Sequence, residues 1–223
     1  MHKLLTGIRD FHDRVRPAYR ERFAHLALGQ SPDCLFIACA DSRVVPNLFA
    51  STDPGDLFVL RNVGNMVPPC GASGAVDDSA GAAVEFATIS LGVRDIVVCG
   101  HSECGAMRAV LDTERPAGAP SLDRWLEHTA PSIARLEREP RLGPQLPTLD
   151  RLSLAHVLQQ VDHLRSYPAV AERLNEGRLR LHAWWFDLAN AEVLAFDSAS
   201  GDFVPLVDLY SQGMPSARAT PSP

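Results

Sequence analysis

Two short runs in this sequence hold residue types that could do chemistry together. Cys39-Ala40-Asp41-Ser42-Arg43 closes one apolar segment, and His101-Ser102-Glu103-Cys104-Gly105 closes another. Cys39, His101 and Cys104 would supply two thiolates and an imidazole, soft and borderline donors that suit zinc. His-x-x-Cys is a spacing that chelates from one tight turn. Three protein ligands leave a fourth position for water or substrate, the catalytic rather than the structural arrangement. Taken singly, each residue has a plainer reading. A Cys at the end of a buried strand is usually a packing residue, and a His after a strand is usually a hydrogen-bonding loop residue. Taken together, with an acid and a guanidinium close behind Cys39, they point to a metal.

The surrounding pattern must place both runs side by side. Leu35–Cys39 is a short unbroken apolar run, the signature of a strand buried on both faces. Asp56–Val63 and Asp95–Gly100 are two further strand candidates. A Gly/Ala/Pro-rich stretch, Gly64–Gly81, and a helical segment, Ser79–Leu91, lie between them. The order of strands and helices predicts an α/β fold with a mainly parallel central sheet flanked by helices. Open parallel sheets bind ligands just past their strand ends, where both runs fall.

Apolar residues recur every three or four positions over 3–28, predicting an N-terminal helical arm that Pro17 splits and Gly29 stops. Downstream, Ser121–Arg138 reads as a helix capped by Ser121. Thr148–Tyr167 reads as another, ended by Pro168, and Ala169–Asn175 as a third. Leu179–Leu188 and Glu192–Phe196 bracket Ala189-Asn190-Ala191 as a C-terminal hairpin. The expected organisation is an arm over 1–29, one zinc-binding α/β domain over 30–210, and a disordered tail over 211–223.

Composition narrows the partners. With 223 residues, the chain can bury about 70–75% of its unfolded surface. The formal net charge is −6, with 21 Lys and Arg against 27 Asp and Glu. No basic excess is there to neutralise phosphates, so nucleic acid is not an expected partner. The longest apolar runs are too short to span a bilayer, so no membrane partner is expected either. Met1–Val15 is an amphipathic pattern broken by charges, with no signal-peptide core. Five cysteines form an odd, sparse set, unlike a secreted disulfide framework. A cytoplasmic location is expected, which includes the interior of a bacterial microcompartment. Cys34, Cys70 and Cys99 read as packing or loop residues. His128, His156, His163 and His182 show no spacing that suggests a second metal. Gly71–Gly81 lacks the Lys-Ser/Thr end of a phosphate loop and reads as a mobile connection.

Cys39-x-Asp41-x-Arg43 with His101-x-x-Cys104 resembles the β-class carbonic anhydrases. The resemblance runs from about Gln30 to about Leu111. It includes Leu35-Phe36-Ile37, Pro54-Gly55-Asp56-Leu57-Phe58, Arg61-Asn62-Val63, Asn65-Met66-Val67-Pro68, Val84-Glu85-Phe86-Ala87 and Cys99-Gly100-His101-Ser102. It implies a zinc lyase that interconverts CO2 and bicarbonate by attack of zinc-bound hydroxide, working as a homodimer or higher homo-oligomer. By position, Cys39, His101 and Cys104 match the family's zinc ligands, and Asp41 and Arg43 its catalytic Asp–Arg dyad. A paired Arg would keep Asp41 ionised and oriented. Gln30 and the Gly105 backbone N–H match donors to substrate oxygen. Phe58, Val63 and Phe86 match the walls of the CO2 pocket, some of them across a dimer interface.

Some positions depart from the family's common variants. Phe86 stands where Tyr is frequent and Ala106 where a second Gly is frequent. Phe36 and Ala38 stand where the bicarbonate-regulated subtype tends to carry Trp and Gly, which implies a site whose zinc keeps Asp41 off the metal. Two alternatives stay open on the residues alone: hydrolysis of carbonyl sulfide or carbon disulfide on the same scaffold, and a non-catalytic zinc-binding assembly protein.

Overall fold

The computed structural model describes residues 1–71, 78–112 and 118–210. The tail expected over 211–223 lies outside the described residues, as do residues 72–77 of the Gly71–Gly81 connection.

Six strands among the described residues form one sheet, ordered β2-β1-β3-β4-β5-β6. They are β1 (Cys34–Cys39), β2 (Leu57–Asn62), β3 (Asp95–His101), β4 (Arg180–Asp187), β5 (Glu192–Asp197) and β6 (Asp202–Pro205). β1 pairs in parallel with β2 on one side and β3 on the other, and β3 pairs in parallel with β4. β4, β5 and β6 then run antiparallel, so the expected hairpin is present and one strand longer than the sequence pattern shows. Asp202–Pro205 is too short to leave a periodic signal.

The chain leaves β1 toward β2 and returns to β3 on the opposite side. A crevice therefore opens at the carboxyl ends of β1 and β3, where the order reverses. Alternation along the strands splits the core. Leu35, Ile37, Ile96 and Val98 face the helices, and Phe36, Ala38, Val97 and Cys99 face the other way. A third buried cluster, with Met66, Met107, Leu126, Leu149 and Leu152, lies under the carboxyl ends and includes Cys39 and Cys104.

The α-helices among the described residues are α1 (His2–Asp10), α2 (Arg16–Leu26), α3 (Pro46–Phe49), α4 (Asp78–Glu85), α5 (Gly105–Leu111), α6 (Pro120–Glu127), α7 (Ala130–Arg138), α8 (Thr148–Leu164), α9 (Pro168–Asn175) and α10 (Leu206–Tyr210). α8 is the central one, buried along most of its length. It crosses β3 at Gly100, where a Cβ would come within 2.5 Å of Val157 Cγ2.

Three helical expectations need correction. Pro17 does not split the N-terminal arm. The backbone stays right-handed helical and widens to a π-helical turn at Phe11–Val15 between α1 and α2. Pro17 has no N–H for the carbonyl four residues back, and the helix relaxes around the missing bond. The Ser121–Arg138 helix is two helices, because Pro131 fits only the first turn of a new one. Ser121 is not a cap, since α6 already starts at Pro120. α8 ends at Leu164, before Tyr167, and Pro168 opens α9.

None of α1 or α2 is buried. α2 docks on the turn before β2, where Arg22 pairs with Asp53 at 2.8 Å and Asp56 at 3.0 Å, and Tyr19 donates to Asp53 at 3.0 Å. Leu4, Leu5 and Ile8 of α1 stay exposed. No helix among the described residues is long and apolar enough to cross a membrane.

Candidate active site

The crevice brings the two predicted runs together. Ligand atoms of Cys39, His101 and Cys104 all lie within 4.8 Å of one another, and all three residues are buried. Cys39 ends β1, His101 ends β3, and Cys104 is the cap residue before α5. His101 Nδ1 lies 2.8 Å from the Ser102 carbonyl oxygen. A carbonyl only accepts, so Nδ1 carries the proton and Nε2 presents a lone pair to the cluster. That Nε2 is buried and has no hydrogen-bond partner. Buried polar atoms normally find partners, so an orphaned nitrogen aimed between two thiols fits a metal cation.

The thiols tell the same story. Their mutual hydrogen bond holds Cys39 well below the usual thiol range, while that contact and burial hold Cys104 far above it. Two buried thiols this close, one of them favoured as thiolate, suit a cation that binds sulfur. The Gly64 N–H donates to Cys39 Sγ at 3.4 Å. Gly64 has φ +78°, and a Cβ there would meet Ala106 Cβ at 3.1 Å, so glycine is needed for this approach.

Asp41 and Arg43 form a two-pronged pair. Arg43 Nε reaches Asp41 Oδ1 at 3.0 Å and Nη2 reaches Oδ2 at 2.7 Å, and the Arg43 backbone N–H adds a bond of 2.9 Å to Oδ1. The Arg43 side chain, followed by its backbone N–H, holds the Asp41 carboxyl far below the usual carboxylate range. Asp41 Oδ2 lies 3.9 Å from His101 Nε2, at the edge of the cluster. Arg43 Nη2 also donates to the Glu103 carbonyl at 3.0 Å.

The pocket residues divide between the two ends of the sheet. Val63 and Gly105 adjoin the cluster, Val63 next to Gly64 and Gly105 next to Cys104, with open space where a Gly105 side chain would stand. Gln30, Phe58 and Phe86 do not adjoin it. Gln30 precedes β1, and Phe58 pairs with Leu35 while Cys39 pairs with Asn62. Four strand residues, about 13 Å, separate those levels. Phe86 lies with Phe58, ring centroids 5.7 Å apart.

Several residues around the cluster have contacts that the sequence does not show. Arg61 donates to the Cys39 carbonyl at 3.1 Å and the Asp41 carbonyl at 2.7 Å, clamping the turn between them. Asn62 makes two bonds to Met66, at 2.7 and 2.8 Å. From α8, His156 Nε2–H donates to the Gly64 carbonyl at 2.8 Å, and Gln160 and His163 bind the two polar groups of Val67. Each of these bonds from α8 spans more than 90 positions of chain, which no local pattern encodes. Cys99 is a core residue and Cys34 half-buried, in line with packing, while Cys70 lies exposed in a loop.

Comparison with known proteins decides the family. The carbonic anhydrase family model matches residues 34–193. The carbonic anhydrase of Pseudomonas aeruginosa is 41% identical over 209 residues, covering 93% of each chain. That of Synechocystis is 39% identical over 92% of this chain and 74% of its own. Among solved structures, the β-carbonic anhydrase CcaA superposes with a TM-score of 0.83 at 38% identity, over 92% of this chain and 98% of that one. This chain belongs to the β-carbonic anhydrase family. A tetrameric β-carbonic anhydrase from Sordaria macrospora has the same fold, with a TM-score of 0.75 at 28% identity over 87% of this chain and 95% of that one. The family's mainly parallel sheet is therefore the scaffold on which the Cys–His–Cys cluster and the Asp41–Arg43 pair stand.

Proposed function

We propose that this protein interconverts CO2 and bicarbonate at a zinc ion held by Cys39, His101 and Cys104. The observation that carries the reading is the convergence of three buried donors, one a nitrogen with no other partner. Zinc held there would supply Lewis acidity, lowering the pKa of water well below its bulk value.

The chain's own groups do the rest. Asp41, kept ionised by Arg43, can only accept hydrogen bonds. At the edge of the cluster it would accept a hydrogen bond from the O–H of the nucleophile, without removing the proton, and so orient an oxygen lone pair toward the carbon of CO2. Arg43 stops the carboxylate from rotating, since two prongs fix a plane where one would leave a swivel. Val63 offers an apolar wall, which suits an uncharged linear substrate. The Gly105 N–H, in the first turn of α5, would donate to an oxygen of bicarbonate.

Gln30, Phe58 and Phe86 complete the pocket in this reading when a second copy brings its sheet end to the crevice. The exposed apolar faces of Val63 and Phe86, 43% and 45% accessible, support such an assembly, as does the unpartnered face of α1. Residues 1–29 then serve as the arm and 30–210 as the zinc-binding domain of a cytoplasmic homo-oligomer. Stopped-flow CO2 hydration together with zinc content per chain tests the reading. One zinc per chain and CO2-dependent proton release are expected. Full activity in a zinc-free preparation would overturn it.

A further inference from the structure

We infer that Asp150 is a positioning residue for both the His101 imidazole and the Asp41–Arg43 pair, acting through the Ser102–Glu103 peptide unit. This rests on the reading of Cys39, His101 and Cys104 as zinc ligands. The Ser102 carbonyl accepts His101 Nδ1–H at 2.8 Å, and the Glu103 N–H at the other end of the same planar unit donates to Asp150 Oδ1 at 2.8 Å. A carboxylate on the N–H draws that bond's polarisation through the peptide and leaves the carbonyl oxygen a better acceptor. The peptide is thus a relay by which a buried acid acts on an imidazole it does not touch. A stronger Nδ1–H bond makes Nε2 more basic and fixes the ring, the service that outer partners give to metal-binding histidines.

The second arm starts from the same N–H. Glu103 has φ +54°, a left-handed conformation that non-glycine residues seldom adopt. In that conformation its carbonyl accepts Arg43 Nη2 at 3.0 Å. Asp150 grips the N–H of this one residue and so pins the turn that gives Arg43 an acceptor beyond Asp41. Asp150 is 7% exposed and makes no ion pair among the described residues. Its place in the first turn of α8 offsets part of the cost of burying its charge. A helix-stabilising role alone would leave the imidazole unaffected, and that difference is measurable.

The test is Asp150→Asn, whose amide oxygen can still accept the Glu103 N–H but brings no charge. Wild type and variant are compared by circular dichroism, by chelator competition for zinc, and by the Nδ1–H resonance of 15N-histidine-labelled holoprotein. A folded variant with about 10–100-fold weaker zinc binding and an upfield-shifted His101 Nδ1–H is expected. A folded variant with wild-type affinity and an unmoved resonance would overturn the inference while leaving the zinc reading intact. A wild type that binds no zinc would fell the zinc reading itself, and this inference with it. Should Asp150→Asn not fold, the wild-type holoprotein decides: its Glu103 amide proton should resonate far downfield and exchange slowly. An ordinary, fast-exchanging Glu103 amide would overturn the inference.

Discussion

The two ends of the parallel sheet are built differently. At the carboxyl end, one chain supplies what the proposed zinc site needs: three buried donors, a locked carboxylate, and peptides clamped from α8. At the amino end, Gln30, Phe58 and Phe86 sit about a strand's length away with apolar surface open to solvent. The carboxyl end gathers its donors within one chain, whereas the amino end leaves apolar surface exposed, which in the proposed function a second copy covers. Metal retention should therefore depend on single-chain geometry, and turnover on assembly as well.

The largest effect should come from breaking the carboxyl end. Cys39→Ala, His101→Ala or Cys104→Ala leaves two strong donors and should strip most of the zinc, taking CO2 hydration to background. Metal analysis of the purified variants checks this, and a fully loaded Cys104→Ala would refute the ligand set.

Next come the groups that handle the nucleophile. Asp41→Asn and Arg43→Ala should lower kcat/KM by about 10²–10⁴-fold with zinc retained. Arg43→Lys should fail too, because an ammonium cannot form the planar pair. Near-normal turnover in Asp41→Asn would remove the pair from the mechanism.

Sharpening the contrast requires a change far from the metal. Leu5→Asp with Ile8→Asp puts two charges on the exposed face of α1. Light scattering should show a smaller assembly, and turnover should drop roughly 10²-fold, the cost of misplacing substrate-positioning groups. Zinc content should hold. A wild-type species of 24.2 kDa with full activity would show the amino end to be complete in one chain.

Turnover should also climb from about pH 6 to pH 9. Two thiolates cancel the charge of Zn²⁺ and leave a weaker Lewis acid than three imidazoles would. A profile that is flat or falls with pH would count against the two-thiolate site.

The smallest effect concerns the clamp from α8. Burial pushes His156 down to about 4, against 6.5 for an ordinary His. The unfolded chain takes up a proton near pH 6.5, and the folded one resists until about pH 4. Stability is thus complete above pH 6.5 and is lost as pH falls toward 4, by about 3 kcal/mol. His163, also depressed by burial, adds to the same trend. Denaturant unfolding of wild type and His156→Gln across this range checks it, with the variant expected to show the shallower slope.

Much of the carboxyl end was legible in the sequence because its chemistry is local. Cys39-x-Asp41-x-Arg43 and His101-x-x-Cys104 each lie within a single turn, and unbroken apolar runs announce the strands that carry them. The N-terminal arm was equally visible, since an amphipathic period survives a proline that merely widens the helix. Pro131 misled for the opposite reason: the apolar period runs through it, while the backbone starts a new helix there.

What the sequence by itself determined was which residue types stand at the strand ends, and hence the soft-donor set of the proposed zinc site with an acid–guanidinium pair beside it. Only the tertiary structure decided which of the proposed pocket residues meet that site within one chain, and that Asp150, His156 and Gly64 support it. Hydrogen bonds such as Asp150 to Glu103 and His156 to Gly64 join α8 to loops 47 and 92 positions away. Such contacts are set by how a helix packs on a sheet, and spacing along the chain carries no trace of that packing.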